Sequence, residues 1–170
     1  YIEHTLNQIA EYGEIVIKRV YGDWSKPQLA SWKPALNKYS IKPIQVFNNT
    51  KGKNSTDIAL IIDAMDILYS NKVNALCVVS TDCDFTGIIQ RFRENGCYTI
   101  GIGKEQACNS FKSSCDTFLL ESDFPKNGIV KENVSNSKEV VLDDEIYRIE
   151  AKKLPGLKVV GNVDVTKFLR

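Results

Sequence analysis

Histidine is nearly absent from this 170-residue chain: His4 is the only one. A Ser/His/Asp triad therefore has no histidine to use elsewhere, and a multi-histidine zinc site cannot be assembled. No apolar run approaches the roughly 18 residues of a membrane span. No GxGxxG or Walker pattern occurs, so a nucleotide-cofactor cradle has no sequence support. The five cysteines are odd in number, scattered, and include no CxxC pair. A disulfide framework or an all-cysteine zinc site is not expected. Free thiols in a reducing cytosol are the expected state, and the protein is expected to be cytoplasmic. The chain opens in Tyr1-Ile2-Glu3-His4 without an initiator Met, so its natural start is expected upstream.

What is present is ordinary globular material. Hydrophobic residues make up 43% and charged residues 25%, which speaks against a disordered or fibrous chain. The net charge of +1 conceals an asymmetry. Residues 1–56 hold eight Lys/Arg against four Asp/Glu, residues 57–123 five against ten, and residues 124–170 nine against seven. An acidic middle beside a basic segment suits a cation site next to a polyanion-binding surface.

Hydrophobic periodicity predicts alternating helices and strands. Residues 1–12 read as a helix stopped by Gly13, and Glu14–Val20 as a β-branched strand. Pro27–Tyr39 reads as one helix. Ile41–Phe47 reads as a short strand; Pro43 implies that it is a sheet edge or that its pairing begins after the proline. Asp57–Tyr69 reads as a strongly apolar helix, with Ser55 or Thr56 as its cap and Asp57 in its first turn. The continuous apolar run Ala75–Val79 has the pattern of a strand buried on both faces of a parallel sheet. Phe85–Glu94 is predicted helical and ended by Gly96, and Tyr98–Ile102 a strand. A helix to about Ser114 and a strand over Thr117–Leu120 follow. Such alternation implies an α/β fold with a parallel sheet between two helical layers, its site at the carboxyl ends of the strands. After Asp123 the pattern degrades into short β-prone runs. Residues 124–170 are expected to be an appendage, a linker or a piece of a second domain.

The polar segments Tyr21–Trp24, Asn48–Asn54 and Ser80–Asp84 all fall at strand ends. Ser80-Thr81-Asp82-Cys83-Asp84 places two carboxylates two residues apart where a buried strand turns into a helix. Asp57 offers a third across the crevice. Hard cations such as Mg²⁺ and Mn²⁺ take oxygen ligands of this kind. The basic loop Lys51-Gly52-Lys53-Asn54 beside them suits a phosphodiester backbone. Tyr21 and Trp24 are candidates for base stacking, although Trp24 fits a hydrophobic seam better. Helical geometry turns Asp63 and Asp66 away from Asp57, so the first is expected to be structural and the second solvated.

These segments together resemble NYN-domain proteins of the LabA-like group, relatives of PIN-domain nucleases. The resemblance is carried by Tyr21-Gly22-Asp23-Trp24, Lys51 through Asp57, Ala59 through Met65, Val79 through Thr86, Gly101-Ile102-Gly103 and Cys115 through Phe118. It covers about residues 1–121, in order, and the domain is expected to span residues 1–123. It implies a three-layer α/β/α sandwich with a mainly parallel, PIN-like sheet. It also implies a Mg²⁺- or Mn²⁺-dependent ribonuclease whose acidic residues map onto Asp57, Asp82 and Asp84. Lys51, Lys53, Asn54, Ser80 and Thr81 would contact the substrate, which is expected to be single-stranded RNA. No membrane association is expected, and a homodimer is one expected assembly. The family begins with a strand ending in Asp, followed three residues later by Asn, ahead of the first helix. This sequence starts inside that helix, so a central strand with a terminal Asp is expected upstream. Residues 124–170 do not match the LOTUS-type RNA-binding domain that many relatives carry. Two other readings compete. One is an inactive NYN fold that binds RNA or protein. The other is a haloacid-dehalogenase-type phosphatase, suggested by Asp82-x-Asp84-x-Thr86 with Asp82 as nucleophile.

Overall fold

A computed structural model of the chain describes residues 2–47, 54–124 and 158–164, the last of these as backbone alone. Six strands form one sheet: β1 (Glu14–Gly22), β2 (Lys42–Gln45), β3 (Ala75–Val79), β4 (Tyr98–Gly103), β5 (Thr117–Leu120) and β6 (Lys158–Asp164). Their spatial order is β2-β1-β6-β3-β4-β5, and every neighbouring pair is parallel. The helices are α1 (Ile2–Tyr12), α2 (Lys33–Lys38), α3 (Ser55–Tyr69), α4 (Thr86–Glu94) and α5 (Asn109–Ser114).

Strand alternation builds two cores. All five residues of β3 are buried. Leu76 and Val78 join Leu60, Ala64, Ile67 and Leu68 of α3, Ile88, Ile89 and Phe92 of α4, and Phe111 of α5. Ala75, Cys77 and Val79 point the other way, to Ile9 and Tyr12 of α1. Val20 packs with Leu29, Leu36 and Ile41 on a third cluster that Ile2 and Leu6 of α1 also touch. Three helices thus cover one face and two the other, which is the expected three-layer sandwich. Each large side chain sequestered this way contributes about 1.5–3 kcal/mol.

Several boundaries differ from the sequence reading for identifiable reasons. β1 runs on to Gly22 because Tyr21 and Gly22 still have partners in β2, at Ile44 and Gln45. The predicted helix Pro27–Tyr39 is two pieces, a 3₁₀ segment over Pro27–Trp32 and then α2. Pro34 falls in the first turn of α2, the place where its missing N–H costs nothing. α3 starts at Ser55 with Asn54 at its N-cap position, so Ser55 and Thr56 are first-turn residues rather than caps. A 3₁₀ turn, Cys83–Phe85, precedes α4. Gly96 follows α4 at φ 75°, the left-handed conformation that ends a helix without side-chain strain. Strand β2 lies at the sheet edge, the position Pro43 requires.

The segment left unassigned by the sequence contributes a central element. β6 lies between β1 and β3 and pairs with both: Val163 is opposite Val20 and Val79, and Asp164 is opposite Tyr21. The central slot expected to hold a strand preceding α1 is therefore filled by residues 158–164.

Candidate metal centre

The site lies at the carboxyl edge of the sheet, where β3 gives way to the turn that leads into α4. Ser80 is 2% exposed and anchors that turn. Its backbone N–H donates to the Ile102 carbonyl at 2.9 Å, and its hydroxyl accepts from the Asp82 N–H at 3.2 Å. Asp82 in turn caps the 3₁₀ turn, its Oδ1 accepting from the Asp84 N–H at 3.1 Å. The two carboxylates are thereby set at successive corners of one short turn. β4 approaches this turn closely, and a Cβ at Gly103 would lie 2.4 Å from the Ser80 carbonyl oxygen. Only glycine fits there without moving the backbone.

Asp57 arrives from α3. Its position in the first turn suits a carboxylate, because the unpaired N–H groups of a helix start carry partial positive charge. Asp57 is buried, Asp82 half-buried and Asp84 exposed, and one carboxylate oxygen from each lies within 4.8 Å of the others. Asn54, just before α3, donates from Nδ2 to Asp84 Oδ2 at 2.8 Å and ties the helix start to the acidic turn. Three convergent carboxylates repel one another unless a cation or protons intervene. Oxygens this close can share one divalent cation of Mg²⁺ or Mn²⁺ size after a small closure, since metal–oxygen bonds are about 2.0–2.2 Å. The donor set is all hard oxygen, as those ions require.

Of the other candidates, Ser80 is buried with its hydroxyl engaged in the turn, so it shapes the site rather than facing a substrate. Thr81 is half-buried, and its carbonyl accepts from the Cys108 N–H at 3.1 Å. Lys51 and Lys53 lie outside the described residues. Tyr21 is fully buried and its hydroxyl donates to Asp63, so it is not a base-stacking platform. Burial beside that carboxylate raises its phenol's pKa far above the usual value. Trp24 packs on the third cluster and donates its indole N–H to the Ile44 carbonyl at 3.0 Å. Asp63 accepts from both Arg19 and Tyr21, a structural role as expected, and Asp66 is exposed. Asp23, in the strand-end motif after β1, accepts from the Ser25 hydroxyl at 2.6 Å and from Gln45 Nε2 at 2.9 Å. These donors, the Ser25 hydroxyl first, hold its pKa below the usual carboxylate range.

The free-thiol expectation fails for two of the five cysteines. Cys83 and Cys108 are joined as a disulfide, while Cys77, Cys97 and Cys115 are free. The pair is 25 residues apart in sequence. It meets only because β3 and β4 are adjacent and parallel, so the loops after them leave the same sheet edge. No local spacing signal exists for such a pair.

A match to the NYN domain family spans residues 1–122. The chain belongs to the NYN-domain family. NYN domains are PIN-like nuclease domains, and the parallel sheet with helices on both faces has that architecture. An uncharacterized protein of Methanocaldococcus jannaschii is 26% identical over 119 residues, covering 66% of this chain and 44% of that protein. The chain therefore spans less than half the length of that relative. Among solved structures, a protein of unknown function from Vibrio parahaemolyticus is similar, with a TM-score of 0.60 and 16% identity. That likeness covers 71% of this chain and 77% of the other, and it shows the shared fold. Among the described residues, no helix of this NYN domain is long and apolar enough to cross a membrane.

Proposed function

We propose that this NYN domain is a divalent-metal-dependent ribonuclease acting on single-stranded RNA in the cytoplasm. The observation that carries the reading is the convergence of Asp57, Asp82 and Asp84 within 4.8 Å at the carboxyl edge of a parallel sheet. Membership of a PIN-like nuclease family supports it.

Asp57, Asp82 and Asp84 would hold Mg²⁺ or Mn²⁺. When bound, such an ion supplies Lewis acidity, making water a better nucleophile and neutralising charge on the phosphoryl oxygens. The chain's own residues do the rest. The buried Asp57 fixes one side of the cluster, because a carboxylate held in the first turn of α3 moves little. The half-buried Asp82 and the exposed Asp84 open toward solvent, the side from which a phosphodiester approaches. Asn54 keeps the Asp84 carboxylate turned toward the cluster. Thr81 lines the rim, and Ser80 holds the turn beneath it. Lys51 and Lys53, which precede Asn54 in the sequence, would hold the RNA backbone by counterion-releasing contacts.

The test is cleavage of unstructured RNA oligonucleotides with Mn²⁺ or Mg²⁺, in the wild type and in Asp82→Asn. Metal-dependent cleavage abolished by Asp82→Asn is the expected result. Saturable Mn²⁺ and RNA binding without cleavage of any oligonucleotide would replace the nuclease by an RNA-binding module on the same fold.

A further inference from the structure

Cys83 occupies the position between Asp82 and Asp84. Its disulfide partner, Cys108, is the N-cap residue of α5, and the two Cα atoms are 5.4 Å apart. That separation is ordinary for bridged cysteines. The bond spans two loops that leave the same sheet edge, one after β3 and one after β4. Two further contacts join those loops and the helices they lead into. The Cys108 N–H donates to the Thr81 carbonyl at 3.1 Å, and the Thr86 and Ser110 hydroxyls lie 3.4 Å apart. The sulfurs are therefore brought together by neighbours that do not depend on the bond. Cys83 is exposed and Cys108 half-buried, within reach of a small thiol. Among the described residues, Cys77, Cys97 and Cys115 have no disulfide partner.

We propose that Cys83 and Cys108 form a reversible disulfide clasp that fixes the Asp82–Asp84 turn against α5, and that its redox state tunes how tightly the acidic cluster holds a divalent cation. The effect on cation binding rests on the metal reading above; the clasp itself rests on the Cα separation and the contacts beside it. The exchange partner is a low-molecular-weight thiol–disulfide couple such as glutathione. One protein thiolate attacks the small disulfide, forming a mixed disulfide and releasing one small thiol. The second protein thiolate attacks the mixed disulfide, closes the protein bond and releases the second small thiol. The reverse sequence opens it, so electrons and protons balance against the couple. The carboxylates converge with the bond closed. Opening it removes the covalent tie on the residue between two of them and leaves only hydrogen bonds to hold the turn, so more of its order must be supplied when a cation binds. Ordering on binding weakens affinity. Disulfides that survive only transiently in reducing compartments commonly serve as sensors of this type.

The full chain is equilibrated in defined mixtures of reduced and oxidised glutathione, alkylated, and mapped by peptide mass. Mn²⁺ affinity is measured calorimetrically on the two forms, and amide hydrogen exchange is followed over residues 81–86. The expected result is a single two-electron transition confined to Cys83 and Cys108. Mn²⁺ should bind about three- to tenfold tighter in the oxidised form. Cys83→Ser and Cys108→Ser should each hold the reduced-form affinity in every mixture. Absence of the bond in the most oxidising mixture overturns the proposal, as does equal Mn²⁺ affinity with equal amide exchange in the two forms. If neither form binds Mn²⁺, the metal reading falls by itself and amide exchange decides the clasp. Slower exchange over residues 81–86 in the oxidised form upholds the clasp, and equal exchange overturns it.

Discussion

Two carboxylates on α3 stand six residues apart and have opposite surroundings. Asp63 faces β1 and is met by the Arg19 guanidinium and the Tyr21 hydroxyl, so its charge is matched inside the protein. Asp57 faces the turn after β3 and is met by two more carboxylates. One helix therefore carries both a stabilising charge and a charge placed against its like. The residue type is the same, and what differs is the strand each one faces. Helical phase already turns the two apart along the sequence, and the fold supplies the partners that each one meets. The Asp63 end ties α3 to β1, and the Asp57 end joins the cluster for which a cation is proposed.

The strongest way to break this comparison is to remove the element between its two halves. β6 separates β1, which carries the partners of Asp63, from β3, which leads into Asp82 and Asp84. A chain ending at residue 157 should lose both regions together. Circular dichroism with a urea titration should show no cooperative transition, and a normal transition would show that β6 is dispensable.

The next largest effect sharpens the like-charged side. In Mn²⁺ at a hundred times its dissociation constant, wild type should gain about 2.7 kcal/mol of unfolding free energy. Asp82→Asn should lose most of that gain while unfolding almost as before without metal. An unchanged Mn²⁺ response in the variant would remove Asp82 from the site.

Asp63→Ala should do the converse. It leaves Arg19 and Tyr21 without their shared acceptor, and truncating one partner of a fully buried pair costs about 3–5 kcal/mol. The Arg19 and Asp63 side chains keep 23% and 24% exposure, so a loss of about 2 kcal/mol is expected after solvent screening. The Mn²⁺ increment should persist in urea titrations. If it disappears with Asp63, the two ends of α3 are not independent.

The smallest effect is on pH. Asp23 is a third kind of carboxylate, held mainly by neutral donors, with Lys26 Nζ 3.9 Å from its Oδ2. Its folded pKa is depressed by the Ser25 hydroxyl and the Gln45 amide. A depressed folded pKa favours the ionised native state. The contribution is therefore present above the unfolded carboxylate value, about 3.9, and is lost as pH falls through the lower folded value. Asp23→Asn should be slightly less stable than wild type at neutral pH, with the gap closing below about pH 4 in melting curves taken at stepped pH. A constant gap at all pH values would assign the effect to packing.

The fold was legible in sequence wherever burial is repeated along an element. The five-residue run Ala75–Val79 has the pattern of a strand covered on both faces, and β3 is buried throughout. Pro43 marked an edge strand because it has no N–H to give a second neighbour. The acidic trio was legible for a chemical reason: Asp82 and Asp84 flank a strand end, and Asp57 opens a helix. The 3₁₀ break before α2 was less visible, because the apolar spacing of Leu29, Trp32 and Leu36 continues across it. Tyr21 was misread as a surface aromatic, since nothing local shows that β6 and α3 would enclose it.

By itself the sequence determined the alternation of helices and strands, the two-faced burial of β3 and the types of residue gathered at strand ends. These are set by residues close together in the chain, through backbone propensity and hydrophobic period. Only the tertiary structure decided that residues 158–164 fill the centre of the sheet, that the partners of Asp63 are Arg19 and Tyr21 of β1, and that Cys83 meets Cys108. Each of those contacts joins segments many residues apart. Parallel pairing, the packing of α3 and the common edge from which loops leave a parallel sheet bring them together, and none of these is written in a local pattern.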